Sequence, residues 1–414
     1  MPRFFGELHG RALGVVAGCF VCQMGLGFGY AIGSLAPEMI AEFGWSRAEF
    51  SVARAPQLWA IALASPLVGA ATVRFGGRAV LLAATALLGL AYAALAGVQS
   101  LWQLTALAVV IGLAVAGIGD IAAGAVVSQW IVRARGLGLG IVYTGSNLGG
   151  WIAITLATAV LGFGSWRAAV LAIAAFGLFA MLPFALATLR DHERVASSAA
   201  GDDAESESGD LDVRRALRTP SFWILTFTLL TFWIYFLAML DHFVLFLTDA
   251  GVPNAKQYFA LAVGMGMVSK VAFGLISDRL PAKAALLLDF GLLAASSALL
   301  LLLPDPRLLL VFVVTFGFSV AARDVVTPLI VVHCFGVRYL AQIYGVLMLT
   351  LLPGGTLGPA LTGYIHDVTG SYALAFQGLA LLNLSSFALL MGVRDERRRG
   401  DPILSPGRAP SAAG

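Results

Sequence analysis

Charge is scarce in this chain. Only 12% of its 414 residues are Asp, Glu, Lys or Arg, about half the share usual in a soluble domain. With 59% hydrophobic residues, the chain has more apolar surface than one core could hide from water, so lipid must be its solvent. A net charge of only +3, with no basic aromatic stripe, argues against a nucleic-acid partner. Cysteine is nearly absent. Cys19 and Cys22 have CxxC spacing but sit in an apolar run without the strand and helix of a redox motif, so they read as packing residues, as does Cys334. No nucleophile–base set and no metal-spaced cluster is legible, so neither an enzyme nor a cofactor is expected.

What is there is hydrophobic length. Apolar runs of about 18 residues or more cross a bilayer as helices. Twelve are expected, at 12–40, 48–72, 79–98, 101–130, 137–161, 166–190, 221–248, 256–277, 283–303, 307–335, 341–364 and 371–393. Arg3, His9 and Arg11 precede the first run as in a signal peptide. That run is too long for one and lacks a small-residue cleavage site, so it is kept as a helix. The class is therefore an all-α polytopic membrane protein. Residues 1–190 and 220–394 each hold six helices. Residues 191–219, polar and Ser-rich, read as a flexible linker, and residues 395–414 as a tail.

Orientation follows from the basic residues. The N-terminus, the loops after even-numbered helices and the C-terminus carry 19 of the 26 lysines and arginines. The opposite loops carry four, Arg47, Arg167, Lys256 and Arg307. Both termini and the linker are expected in the cytoplasm. The excess of arginine over lysine hints at a bacterial inner membrane.

The halves repeat at an offset of 205 residues. Gly69 and Gly274, Arg74 and Arg279, Arg78 and Lys283, Arg133 and Arg338, and Gly140 and Gly345 all keep it, as do Gly149-Gly150 and Gly354-Gly355. Six helices per repeat place equivalent positions on the same side, so these are parallel repeats about an axis along the membrane normal. Gly274-Leu-Ile-Ser-Asp278-Arg279-Leu-Pro-Ala-Lys283 resembles the loop signature of the major facilitator superfamily. The first-half copy keeps Gly69, Arg74 and Arg78 but has Val73 in the acid's place. The resemblance implies the major facilitator fold with twelve helices in two six-helix repeats. It implies a solute-transporting activity by alternating access, and a latch at the cytoplasmic ends of the halves made by Asp278, Arg279, Lys283, Arg74 and Arg78.

A narrower resemblance, to the monocarboxylate transporter and oxalate/formate antiporter branch, rests on several stretches. They are Phe43-Gly-Trp45-Ser46-Arg47-Ala-Glu49, Trp130 through Gly140 with Gly145-Ser146, His242 through Gly251, and Tyr344 through Tyr372. The branch places a substrate-binding cation four residues before the loop glycine, which here is Lys270. The proton-coupling aspartate found four residues earlier in monocarboxylate transporters is Gly266 here. Carboxylate binding carries over better than the coupling mechanism.

Ionisable groups inside the hydrocarbon cost about 2.5–3.5 kcal/mol each on insertion scales, so they are functional candidates. They are Arg54, Asp120, Asp241, His242, Lys270, Asp289, Arg323 and Asp324. Lys270, eight residues before Asp278, lies about 12 Å from the helix end, near mid-bilayer. Arg323 and Asp324 project about 100° apart on a helix, so they are not expected to point at one spot. The bland reading is a structural ion pair, such as Arg323 with Asp120, or Lys270 with Asp120, Asp324 or Asp289. Lys270, Arg323, Tyr30, Asn147, Tyr143 and His242 are candidate solute ligands. Asp120, Asp324 and Asp241 are candidate proton carriers, and Asp289 is read as a satisfied structural acid. Gln23 is a further polar group for the cavity. Gly25-Leu-Gly27-Phe-Gly29 looks like a dinucleotide loop, but within a membrane helix it reads as close helix packing.

The expected function is secondary active transport of a small organic anion, a mono- or dicarboxylate, coupled to protons or to exchange. The alternatives are a proton-coupled exporter of hydrophobic or cationic compounds and a transporter-shaped sensor that moves nothing. The expected partners are the solute, protons and the lipid bilayer.

Overall fold

The computed structural model describes residues 10–45, 47–162, 164–191, 210–253 and 255–397. Among these, twelve helices are long and apolar enough to cross a membrane. They are α1 (Arg11–Ile32), α2 (Val52–Phe75), α3 (Gly77–Leu95), α4 (Leu101–Trp130), α5 (Arg135–Leu161), α6 (Trp166–Thr188), α7 (Pro220–Asp249), α8 (Gln257–Ser277), α9 (Ala282–Leu300), α10 (Arg307–Phe335), α11 (Leu340–Thr369) and α12 (Ala373–Leu390). Only helices satisfy their own backbone polar groups in lipid, which is why apolar length alone located them. All twelve expected spans are present. The eleventh runs five residues past its expected end and stops at Gly370, whose φ of 69° is the left-handed cap that glycine adopts freely.

The fourth span is interrupted, which hydrophobicity could not show. Its helix stops at Ile118 and a new one starts at Asp120, with Gly119 extended between them. The break frees the Ile118 carbonyl, which accepts from Gln23 Nε2 at 3.1 Å. The Asp120 carbonyl accepts from Tyr143 Oη at 3.2 Å. Asp120 itself stands at the N-terminus of a half-helix, where the helix dipole favours a carboxylate.

Each set of six helices has its own aromatic core. Phe28 meets Tyr92 edge-on in the first, and in the second Phe312 stacks on Phe316 with Phe243 tilted against Phe312. The sets meet along α5 against α8 and α2 against α11. At both seams glycine lets backbone touch backbone. A Cβ on Gly140 would stand 2.4 Å from the Lys270 carbonyl oxygen, and one on Gly345 2.5 Å from that of Ser65. A Cβ on Gly136 would stand 2.5 Å from the Gly274 oxygen, and one on Gly69 2.3 Å from that of Ala341. Each of these partners is related to its counterpart by the 205-residue offset, so the packing is two-fold symmetric residue by residue. All lie toward the side on which α6 ends and α7 begins, here called the linker face, and the seams are closed there.

Of the linker, residues 192–209 lie outside the described residues, as do residues 398–414 of the tail. Residues 210–219, expected to be flexible, are instead fixed on the second six-helix set. Asp210 accepts from the backbone N–H groups of Val337 and Arg338 at 3.2 and 3.1 Å, and Leu211 N donates to Phe335 O at 2.9 Å. Asp212 caps the short helix Val213–Ala216 through Arg215 N. The acids that made this stretch look solvated are the ones that tie it down, because loop N–H groups need acceptors.

Candidate functional site

Between the two sets, at the depth expected for Lys270, lies a cluster of buried charges. Lys270 on α8 is 7% exposed. Its Nζ lies 3.1 Å from Asp324 Oδ2, donates to Tyr143 O at 3.0 Å and to Ser146 Oγ at 3.2 Å, and reaches Asn147 Oδ1 at 3.4 Å. Asp324 belongs to the second set and the other three to α5 of the first, so Lys270 bridges the seam. Gly140 makes this reach possible, since any side chain there would push α8 away from α5.

Arg323, 5% exposed, holds three kinds of partner. Its Nη2 pairs with Asp324 Oδ1, and its Nη1 donates to Tyr344 Oη at 3.4 Å. Its guanidinium also stacks over Trp233 and Phe232 of α7, 4.6 and 4.9 Å from the ring centres. Its Nε is buried without a hydrogen-bond partner, and so is Trp233 Nε1 beside it. The expectation that Arg323 and Asp324 face different ways is therefore corrected. Long flexible side chains overcome a 100° separation at the backbone, and Asp324 is shared between Arg323 and Lys270 through its two oxygens. The ion pairs run through Asp324 and not through Asp120. Asp120 lies within electrostatic reach of Asp324, Arg323 and Lys270, with Gln23 against it.

The remaining candidates divide. Asn147 contacts Lys270 directly. Tyr143 is fully buried and contributes its carbonyl to Lys270, while its phenol turns to the α4 break, so it does not line a cavity as expected. Tyr30 is 57% exposed and lies against Gly150, outside the cluster. His242 is also apart. Its Nε2 faces Pro359 O at 3.0 Å and its Nδ1 faces Tyr372 Oη at 3.4 Å, near the far ends of α7 and α11. Asp241 is exposed and joins no pair in the cluster. Asp289, expected to be satisfied, is 1% exposed and leaves Oδ1 without a hydrogen-bond partner. Arg54 stacks on Phe50, 5.7 Å from its ring centre. Ser146, Tyr344, Phe232 and Trp233 were missed. Each lies on a different helix from the cation it meets, and nothing in sequence places those helices side by side.

The loop motif sits at the linker face. Asp278 accepts from Gly136 N at 2.7 Å and Leu137 N at 3.0 Å, so a second-set acid caps the N-terminus of α5 in the first set. Lys283 Nζ donates to Met391 O at 2.6 Å, covering the end of α12. Arg78 is anchored by Asp191 Oδ1 on its backbone N–H at 2.9 Å and by Leu186 O on its side chain at 3.4 Å. Arg74 stacks on Phe75, 5.1 Å from its ring centre. The Arg279 side chain makes no ion pair among the described residues.

A sequence profile of the Major Facilitator Superfamily matches residues 16–349 and 268–413. Monocarboxylate transporter 13 of Bos taurus is 28% identical over 256 residues, 61% of this chain, and the counterpart from Rattus norvegicus matches equally. This chain spans 58% of the length of those two relatives. An uncharacterised 38 kDa protein of Thermoproteus tenax is 26% identical over 65% of this chain and 66% of its own. Among solved structures, the major facilitator transporter FucP superposes with a TM-score of 0.69 at 13% identity, over 92% of this chain and 99% of its own. The proton:xylose symporter XylE superposes with a TM-score of 0.67 at 11% identity, over 93% and 96%.

Proposed function

The chain belongs to the major facilitator superfamily and is a multi-pass membrane transporter rather than an enzyme, and from that premise we propose that it moves a small organic anion, a mono- or dicarboxylate, by alternating access coupled to protons or to exchange. One observation carries this reading: two buried cations, Lys270 and Arg323, share a single acid, Asp324, at the seam between the halves. With Asp324 and Asp120 ionised, and with the buried Asp289, which also lies within reach of Arg323 and Asp324, neutral, the charges sum to zero. An anion entering that balance leaves one negative charge uncompensated in a low-dielectric site, unless a proton enters with it or another anion leaves. That arithmetic favours symport with a proton on Asp324 or Asp120, or one-for-one exchange, over free passage. The 28% identity to monocarboxylate transporters supports the same substrate class.

In this reading the solute carboxylate takes the place of Asp324 or of the α5 acceptors on Lys270, and the Arg323 and Trp233 N–H groups now without partners give it further donors. Asp278 and the glycine seams then serve as the latch, and the linker face is cytoplasmic on the charge bias. The test is uptake of radiolabelled mono- and dicarboxylates into proteoliposomes, with and without a pH gradient. Lys270→Gln is expected to abolish binding while the protein still folds, and Lys270→Arg to retain part of it. Normal transport of the native solute by Lys270→Gln would sink the anion-site reading.

A further inference from the structure

A second site lies at the linker face of the first helix set, away from the seam. The start of α1, the end of α4 and the end of α6 diverge there around a cavity of about 710 Å³. It is lined by Arg11, Gly14, Trp130, Ala187, Thr188, Arg190 and Asp191. Its charged groups are two arginines and one aspartate. The aspartate is turned toward the loop and keeps its charge, so the arginines outnumber it by one: Asp191 Oδ1 accepts from Arg78 N, and its carboxylate fills the space beside Gly76, whose φ of 85° brings the loop backbone close. Trp130 donates its indole N–H to Arg190 O at 3.0 Å and so fixes the backbone that carries that arginine. Arg190 itself spends one donor on the neighbouring Leu189 carbonyl at 3.2 Å. Arg11 has no ion-pair partner among the described residues.

An apolar side chain stands beside the cavity: Phe184, three residues before Ala187 and four before Thr188, shares their face of α6 and is 43% exposed, while Leu13 and Leu186 on the neighbouring faces of the same turns are 50 and 47% exposed. An arginine pair beside a tryptophan, just below exposed leucine and phenylalanine on transmembrane helices, is amphipathic at the depth where headgroup meets acyl chain. A solvated anion would use the arginines and ignore the apolar wall, whereas a phospholipid uses both. We propose that this cavity binds the phosphate of an anionic phospholipid, with Arg11 and Arg190 on the headgroup and an acyl chain along Phe184. The ligand ties α1 to α6 at the linker face without touching the seam.

Native mass spectrometry of the full chain, relipidated with phosphatidylglycerol or phosphatidylcholine, tests this. Phosphatidylglycerol is expected to be retained and phosphatidylcholine lost. Each arginine near an anionic lipid is worth about fivefold, so Arg11→Ala/Arg190→Ala should weaken retention about 25-fold. Arg218→Ala, an exposed arginine outside the cavity, should leave it unchanged. If the double alanine variant does not fold, Arg11→Lys/Arg190→Lys keeps the point charges and is expected to retain the lipid, while each single alanine variant loses about fivefold. Equal retention by the double alanine variant and the natural protein would overturn the proposal. Full displacement of the lipid by inorganic phosphate would overturn the lipid assignment, since a free anion would then satisfy the site.

Discussion

The guanidinium of Arg323 is gripped by Asp324, Tyr344 and two aromatic rings, yet the charge it balances extends to Asp120 across the seam. Removing one member of a buried pair costs about 3–5 kcal/mol, because the partner charge stays buried. Arg323→Gln is therefore expected to lower unfolding stability in detergent by about 3 kcal/mol. Adding Asp120→Asn should restore part of the loss, with a coupling of about 1 kcal/mol or more in the double-mutant cycle. Additive losses would show that Asp120 does not share this balance. A surface residue gives a different test. Glu42 accepts from Arg167 Nη1 and Trp166 Nε1, both at 2.5 Å, and the Arg167 hydrogen bond chiefly holds its carboxyl below the usual carboxylate range. A depressed folded-state value gives stability that is present above the unfolded value, about 4.3, and lost as pH falls through the folded one. The melting-temperature gap between the natural protein and Glu42→Gln should be present at pH 7 and shrink below about pH 4. A gap constant with pH would mean the contact is not ionic.

At the scale of helices, the two seams share a backbone geometry but not a chemistry. α5 is capped by Asp278 from α8, whereas the equivalent position facing α11 is Val73, which can cap nothing. A carboxylate cap is worth about 1 kcal/mol, up to about 2. Asn keeps one acceptor oxygen but loses the charge and the second, so Asp278→Asn should loosen the closed linker face and slow transport severalfold while leaving equilibrium solute binding nearly intact, because the cap lies at the linker face and the charge cluster lies deeper. A large loss of affinity with a normal saturated rate would argue that Asp278 belongs to the binding site. Val73→Asp is expected to act in the opposite sense, holding the linker face closed and slowing its opening about fivefold or more. The glycines give a steric version of the same experiment. Gly140→Val places carbon against the Lys270 carbonyl, so the seam must part, and a cysteine introduced at Leu137, now buried, should react faster with a maleimide. Unchanged reactivity would mean that the seam can absorb a side chain without moving.

Across the whole molecule, the charge bias sets an orientation that reporter fusions can check. Fusions at residue 200 and at the C-terminus are expected to read cytoplasmic, and a periplasmic signal at either would overturn the topology. Hydrophobic length determined the twelve helices from sequence alone, because lipid admits little else, and the 205-residue offset determined that equivalent positions of the halves pack alike. Lys270, Arg323 and Asp324 were legible for a related reason: an ionised group in an apolar run is costly enough to stand out without any structure. What the sequence could not supply was partnership. That Asp324 serves both cations depends on side-chain reach, and that Lys270 meets Tyr143, Ser146 and Asn147 depends on α8 lying against α5, segments more than 100 residues apart. The interruption of α4 at Gly119 was hidden because one glycine and one acid within a long apolar run do not distinguish a broken helix from a closely packed one. The separation of His242 and Asp241 from the cluster follows from depth, which can be counted in residues along a helix, whereas the direction each side chain faces is set by the neighbours packed around it.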